Sequence, residues 1–348
     1  MKILVFLLLL VSASVFAKPN IDYKLIPKNA NVFGYVSTKS IMSNKYFKKF
    51  LKSKENRKAM KKMKKMGIDI KKLGSLFFYA DTNSVLKDKN ASKSKFQYAD
   101  YALVLHGLNL EKLVEMQMKN KPKAEVKEYK GIKVYHDINI KENNKGEFEA
   151  VAFMKTSTVL GSLKGVKNVI NSYKSKTFTD KVSVINSLHK KLGNPEVFAV
   201  NLVNDAQRAL LAKQKANPML GMFGATALIK TIKLMAISLK INNKFLKFTI
   251  AIKGNEADVK TFVTTLSMQY KNFKPMIMQK TSAFSAQFGQ DATKEIKSIL
   301  DSVKIVSVGD MALISLEINI KNASKILNQL SSKMEKPNRN QYRMKNHK

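Results

Sequence analysis

Residues 101–118 read Tyr-Ala-Leu-Val-Leu-His-Gly-Leu-Asn-Leu-Glu-Lys-Leu-Val-Glu-Met-Gln-Met. The first six predict an apolar strand, Gly107 a turn, and Leu110, Leu113, Val114 and Met118 the apolar stripe of a helix. A second stretch has the same plan. Residues 248–254 read Phe-Thr-Ile-Ala-Ile-Lys-Gly, and Val259, Phe262, Val263 and Leu266 supply the next helical stripe. Other blocks recur in the same order. Asn29 to Tyr35 (N-A-N-V-F-G-Y) is echoed by Asn194 to Val200 (N-P-E-V-F-A-V), and Val151 to Gly161 followed by the helix Val166 to Tyr173 is echoed by Val306 to Leu316 followed by Ala323 to Leu330. Matched blocks in one order point to a duplication. Because strands often follow strands directly, the pattern fits antiparallel sheets better than βαβ crossovers. The expectation is an α+β fold of two tandem repeats, each an antiparallel sheet with helices packed on one face.

The boundaries follow from composition. Lys2, the apolar run Ile3 to Phe16 and the small residues at Val15-Phe16-Ala17 predict a signal peptide over residues 1–17, cleaved near Ala17. That run is shorter than the roughly 20 residues needed to span a bilayer. The first repeat is expected over residues 18–180 and the second over 181–333. Residues 334–348 are polar and basic, the composition of a disordered tail. The protein is then expected to be exported, periplasmic or secreted. It contains no cysteine, so no disulfide holds it together and its core must.

Charge is the other strong signal. Lysine and arginine number 63 against 25 acids, a formal net charge of +38, and only Arg57, Arg208, Arg339 and Arg343 are arginine. A lysine-rich surface attracts polyanions without reading them. Specific base or phosphate recognition draws on the arginine fork, which is scarce here. An AT-rich genome would produce the same bias by codon drift. Charge peaks between Lys39 and Lys72, with 14 basic residues against Glu55 and Asp69. Within it, Lys58, Lys61, Lys62, Lys64 and Lys65 surround Met60, Met63 and Met66 on one predicted helix. A basic amphipathic helix with adaptable methionines is suited to an anionic surface. The same pattern also suits a helix whose methionines face the core. The apolar turn Pro218 to Phe223 is a second segment of interaction type.

Catalytic signatures are missing. His106, His136, His189 and His347 lack partners at three or four residues' spacing, so no metal set is expected. Glu147 and Glu149 lie two apart beside a strand, a weak carboxylate pair that a strand edge explains as well. No phosphate-cradling glycine loop and no nucleophile elbow occurs. The sequence therefore predicts no catalytic residue and no cofactor.

The run Leu25-Ile26-Pro27 to Val36, Phe47-x-x-Phe50, Gly67-Ile68-Asp69, Tyr129-x-Gly131-x-x-Val134-Tyr135 and Thr158-Val159-Leu160-Gly161 resembles uncharacterised exported bacterial proteins with a tandem α+β repeat. The resemblance covers roughly residues 25–176, and more weakly the second copy, and implies fold and export without an activity. The expected function is that of a non-enzymatic envelope protein associating with anionic surface polymers or lipid through its lysines. The alternative is a periplasmic carrier of an apolar ligand held between sheet and helices.

Overall fold

The computed structural model describes residues 21–44, 48, 54–65, 68–82, 100–119, 125–136, 149–175, 180–213, 225–242, 244–288 and 290–321. The predicted leader, the tail from 334, the 323–330 helix, most of the Phe47–Leu51 stretch and the Pro218–Phe223 turn lie outside these residues.

Among the described residues, twelve strands form one sheet that organises the chain. In sequence the strands are β1 (Val32–Val36), β2 (Ser75–Asp81), β3 (Asp100–His106), β4 (Glu125–Tyr129), β5 (Ile132–His136), β6 (Ala150–Met154), β7 (Ser157–Gly161), β8 (Val197–Leu202), β9 (Leu234–Ile241), β10 (Phe245–Lys253), β11 (Lys304–Val308) and β12 (Met311–Asn319). Their order across the sheet is β11-β12-β10-β9-β8-β1-β2-β3-β7-β6-β5-β4, and the neighbours pair antiparallel. The fold is thus α+β with a large antiparallel sheet. Among the described residues the two halves share this one sheet instead of forming a sheet each. Val-Phe-Gly-Tyr-Val of β1 lies directly against Val197 to Asn201 of β8, with Tyr35 opposite Phe198 and Phe33 opposite Val200. The two stretches that echo one another in sequence meet as neighbours and fuse the halves.

The helices are α1 (Thr38–Ser43), α2 (Lys54–Lys65), α3 (Glu111–Met118), α4 (Leu163–Ser175), α5 (Asp180–Lys191), α6 (Asp205–Lys213), α7 (Ala225–Thr231), α8 (Glu256–Phe288) and α9 (Gln290–Ser302). They cover both faces of the sheet, not one as the strand pattern suggested. Register decides this, since alternate residues of a strand point to opposite faces. Phe33, Tyr35, Phe77, Tyr79, Ala102, Val104, Val159 and Phe198 share one face with Val166, Val169 and Ile170 of α4 and Val182, Ile185 and Leu188 of α5. On the other face, Ile41 of α1 packs with Val36, Val197 and Leu239, and Val114 of α3 packs with Leu103, Val151 and Leu160. Val259, Phe262 and Val263 of α8 lie there too, against Ile252 and Ile314. The sequence carries the reason in β7, where all five residues of Ser-Thr-Val-Leu-Gly are buried. A strand covered on both sides does not alternate.

Two local features deserve their physical cause. Lys130 and Gly131, the turn between β4 and β5, have φ of +53° and +73°. Positive φ at both central residues is the type I′ geometry that matches strand twist. Helix α8 runs 33 residues, far past Leu266 where its apolar stripe ends, and continues through Pro275. Beyond that point it is held by α9, where Lys274 Nζ lies 2.7 Å from Asp301 Oδ1 and the Tyr270 hydroxyl donates to the Leu300 carbonyl. Tertiary partners there outweigh the cost of an internal proline.

Candidate functional site

The lysine- and methionine-rich stretch folds as α2, and it does not stand alone. Helix α1 is anchored first. Ser37 caps its start and accepts from the Ser40 amide at 3.4 Å, while the Thr38 hydroxyl donates to the Leu73 carbonyl at 2.6 Å and the Lys39 amide to the Gly74 carbonyl at 3.0 Å. Ile41 is fully buried against the sheet. These bonds fix α1 beside the segment 69–74. There Asp69 accepts the Lys71 amide on Oδ1 at 3.1 Å and its carbonyl accepts the Lys72 amide at 2.9 Å, closing a 3-10 turn over Ile70–Lys72. Helix α2 ends where the Ile68 amide donates to the Met63 carbonyl at 2.9 Å.

Between α1, α2 and this turn lies an open cleft of about 570 Å³. Lys39, Met42 and Ser43 of α1, Lys48 from the stretch between the helices, Arg57 and Met60 of α2, and Lys71 line it. Among the described residues, four cations and two methionines converge there. Met42 and Met60 are half-buried, whereas Lys39, Lys48, Arg57 and Lys71 are exposed at its margin. The arrangement offers a cationic rim over an apolar, deformable wall. Such a site can hold an anionic group next to an apolar one. It contains no nucleophile-base pair.

Of the lysines expected to form the surface site, Lys61 and Lys64 are exposed on α2. Lys58, Lys62 and Lys65 lie on the same helix, and their side chains fall outside the described residues. Neither Lys61 nor Lys64 lines the cleft, whose cations among the described residues are Lys39, Lys48, Arg57 and Lys71. Sequence reading missed these because they come from three elements up to 32 positions apart. The useful signal was Arg57, one of only four arginines, one turn before Met60.

The other candidates have structural partners. Glu149 Oε2 accepts the Leu163 amide at 3.2 Å, so it caps α4, and Glu147 lies outside the described residues. His106 Nδ1 is 3.0 Å from Ser157 Oγ, and His136 Nε2 is 3.3 Å from Glu125 Oε2. His189 is buried between the rings of Tyr35 and Phe198, and its Nε2 lies 3.1 Å from the Pro195 carbonyl. Burial holds its pKa below the ordinary histidine value, with the carbonyl pulling weakly the other way. The Tyr35 hydroxyl is pushed up to about 12, first by burial and further by Glu196 and Tyr23, with the Ser37 hydrogen bond opposing. Among the described residues no group of three histidines, aspartates or glutamates is placed to hold a metal ion, and no helix is long and apolar enough to cross a membrane.

No family model matches the chain, and no curated protein matches it. Among solved structures it is similar to TP0453. Crystal form I of that protein matches with a TM-score of 0.41 at 11% identity, over 90% of this chain and 99% of that one. Crystal forms III and IV match with a TM-score of 0.39 at 10% and 11% identity, over 88% of this chain and 98% and 97% of theirs.

Proposed function

We propose that this is a non-enzymatic exported envelope protein, built from two tandem α+β units, that associates with anionic lipid or surface polymer through the lysine-rich region of α1, α2 and the following turn. The observation that carries the reading is the concentration of charge. Fourteen basic residues lie between Lys39 and Lys72, with Lys61 and Lys64 exposed on one helix and four further cations gathered at the cleft beside it. Dispersed lysines attract polyanions weakly and lose that attraction to salt. Cations that converge on one patch retain more of it.

The strand order supports the duplication. Outward from the centre the first half runs β1-β2-β3-β7-β6 and the second β8-β9-β10-β12-β11, with like neighbours at each step. The hairpin β4–β5 extends the first half, and α9 occupies the corresponding stretch of chain in the second. The units correspond to residues 18–180 and 181–333.

The test is co-sedimentation of the protein, purified as the cell exports it, with phosphatidylglycerol and with phosphatidylcholine vesicles across a salt series. Its companion carries K58Q, K61Q, K62Q, K64Q and K65Q. Retention on phosphatidylglycerol at about 0.15 M salt, lost in the variant, supports the reading. Release of both proteins by that salt, where screening reaches roughly 8 Å, defeats it.

A further inference from the structure

The sheet ends differently on its two sides. Among the described residues its outermost strands are β4 and β11. β4 reads Glu-Val-Lys-Glu-Tyr, with Lys127 at its centre and Lys127 Nζ 2.7 Å from Glu125 Oε2. Charge of this kind blunts an edge. β11 reads Lys-Ile-Val-Ser-Val, and its Val306 and Val308 are 46% and 62% exposed. We propose that β11 pairs with β11 of a second copy of this chain, antiparallel about a twofold axis at Val306, so that two sheets join into one.

Backbone geometry sets the register. Val308 faces Met311 across the turn Gly309-Asp310, and Val306 faces Leu313. Further along β12 the Glu317 amide donates to Ser302 Oγ at 2.8 Å and the Asn319 amide to Glu295 Oε1 at 3.1 Å. The odd-numbered residues of β12 thus present their backbone groups on the β11 side. Lys304, Val306 and Val308 bond them there, which leaves Ile305 and Ser307 directing their amides and carbonyls outward. A Cβ at Gly309 would meet nothing within 4 Å, so the turn stands clear of the approach.

Three features select a second copy. Rotation about Val306 sets Ile305 opposite Ser307 of the second copy, and Ser307 opposite its Ile305. The outward groups of each strand then meet in hydrogen-bonded pairs. Val306 meets its own counterpart in the closer, non-hydrogen-bonded pair, which continues the row from Leu313 across the junction, and Val308 lies over the aliphatic stem of Lys304. No like charges stand directly opposed, whereas the same rotation applied to β4 would set Lys127 on Lys127. The chain also uses this joint internally. β1 and β8, which echo one another in sequence, pair antiparallel about Gly34 and Ala199. Each copy carries a formal charge of +38, so the pairing works against repulsion and strengthens as salt screens it. Polyanion binding weakens over the same range, and the inference does not rest on the surface reading above.

The chain has no cysteine, so a single introduced one reports the register. In this pairing the two Val306 Cα atoms lie about 4.5 Å apart, within disulfide reach, and the two Val308 Cα atoms about 13 Å or more apart, beyond it. The experiment oxidises V306C and V308C of the exported protein separately in about 0.5 M salt and reads dimer on a non-reducing gel. A pair of such short strands belongs to the small, transient class of interface, so the protein is held at a few hundred micromolar. V306C should cross-link about tenfold faster than V308C or more, although Val308 is the more exposed. Sedimentation equilibrium of the cysteine-free protein should show a dimer fraction that rises between about 0.15 and 0.5 M salt. Ser307→Pro removes an outward amide and spares the bonds to β12, and Val306→Lys opposes two charges. Both should sediment as monomer with unchanged melting. Equal cross-linking of V306C and V308C would overturn the proposal. So would a monomer at both salts, a dimer that dissociates as salt rises, or a dimer that survives both substitutions.

Discussion

Replacing Gly165 by alanine tests the packing that fixes α4 to the sheet. In an unconstrained helix the change would stabilise, because alanine exceeds glycine in helix propensity by about 1 kcal/mol. Here a Cβ at position 165 would lie 2.0 Å from the Tyr101 carbonyl oxygen and 2.5 Å from its carbon, both backbone atoms of β3. Ordinary carbon contacts begin near 3.5 Å, so the helix must lift by roughly 1.5 Å. Val166, Val169 and Ile170 of the same helix are fully buried against Phe33, Tyr35 and Val104, and they would lift with it. Forced repacking of this kind costs about 1–3 kcal/mol. Since the obstacle is backbone, the upper end applies, and after the propensity gain the expected net loss is about 2 kcal/mol. The assay is urea denaturation followed by far-ultraviolet dichroism, read as a lower midpoint at unchanged slope. A midpoint equal to or above that of the parent would refute the reasoning, because propensity would then have won over contact.

Two further outcomes follow from buried polar groups. The Pro195 carbonyl can only accept, so His189 carries a proton on Nε2, and burial, which disfavours the charged ring, lowers its folded pKa. A lowered folded value means that its contribution is complete above the unfolded value of about 6.5 and is lost as pH falls below that toward the folded value. Stability measured from pH 7.5 to 5 should therefore decline less steeply in His189→Gln than in the parent, and parallel curves would count against the assignment. Tyr79 is 1% exposed, and no described residue bonds its hydroxyl. Tyr79→Phe should be neutral or stabilising, since an unpaired buried hydroxyl carries a desolvation cost of about 1–3 kcal/mol; a loss greater than about 1 kcal/mol in the same denaturation assay would exclude this account.

Much of the fold was written in short-range signals. The strand Val32–Val36 and its capping Ser37, the Lys130-Gly131 turn, and the helix that Gly193 terminates with φ of +79° could be read residue by residue. Each depends on neighbours within a few positions. What escaped depends on distant parts of the chain. That β1 pairs with β8 joins residues some 165 positions apart, and nothing in Val-Phe-Gly-Tyr-Val names its partner. The two-sided burial of the sheet was concealed for a related reason, since β1 and β9 alternate as if half exposed although helices lie over both faces. On β9 the alternation reflects incomplete cover, with Ile237 left 50% exposed while Leu239 on the same face is buried beneath α1.

The candidate site was legible in composition and hidden in geometry. A run of lysines marks a region, but with 63 basic residues in the chain charge alone cannot single out any one of them. Convergence can. Lys39 is placed by the bonds from Thr38 and its own amide to the 73–74 backbone, Lys71 by the Asp69 turn, and Arg57 by α2. The backbone brings like charges together against their repulsion, and α1 is held there by burial of Ile41 on the sheet. Ile41→Ala should therefore loosen α1 from the sheet, read as a lower midpoint in the same denaturation assay, and an unchanged midpoint would exclude this account of its anchoring.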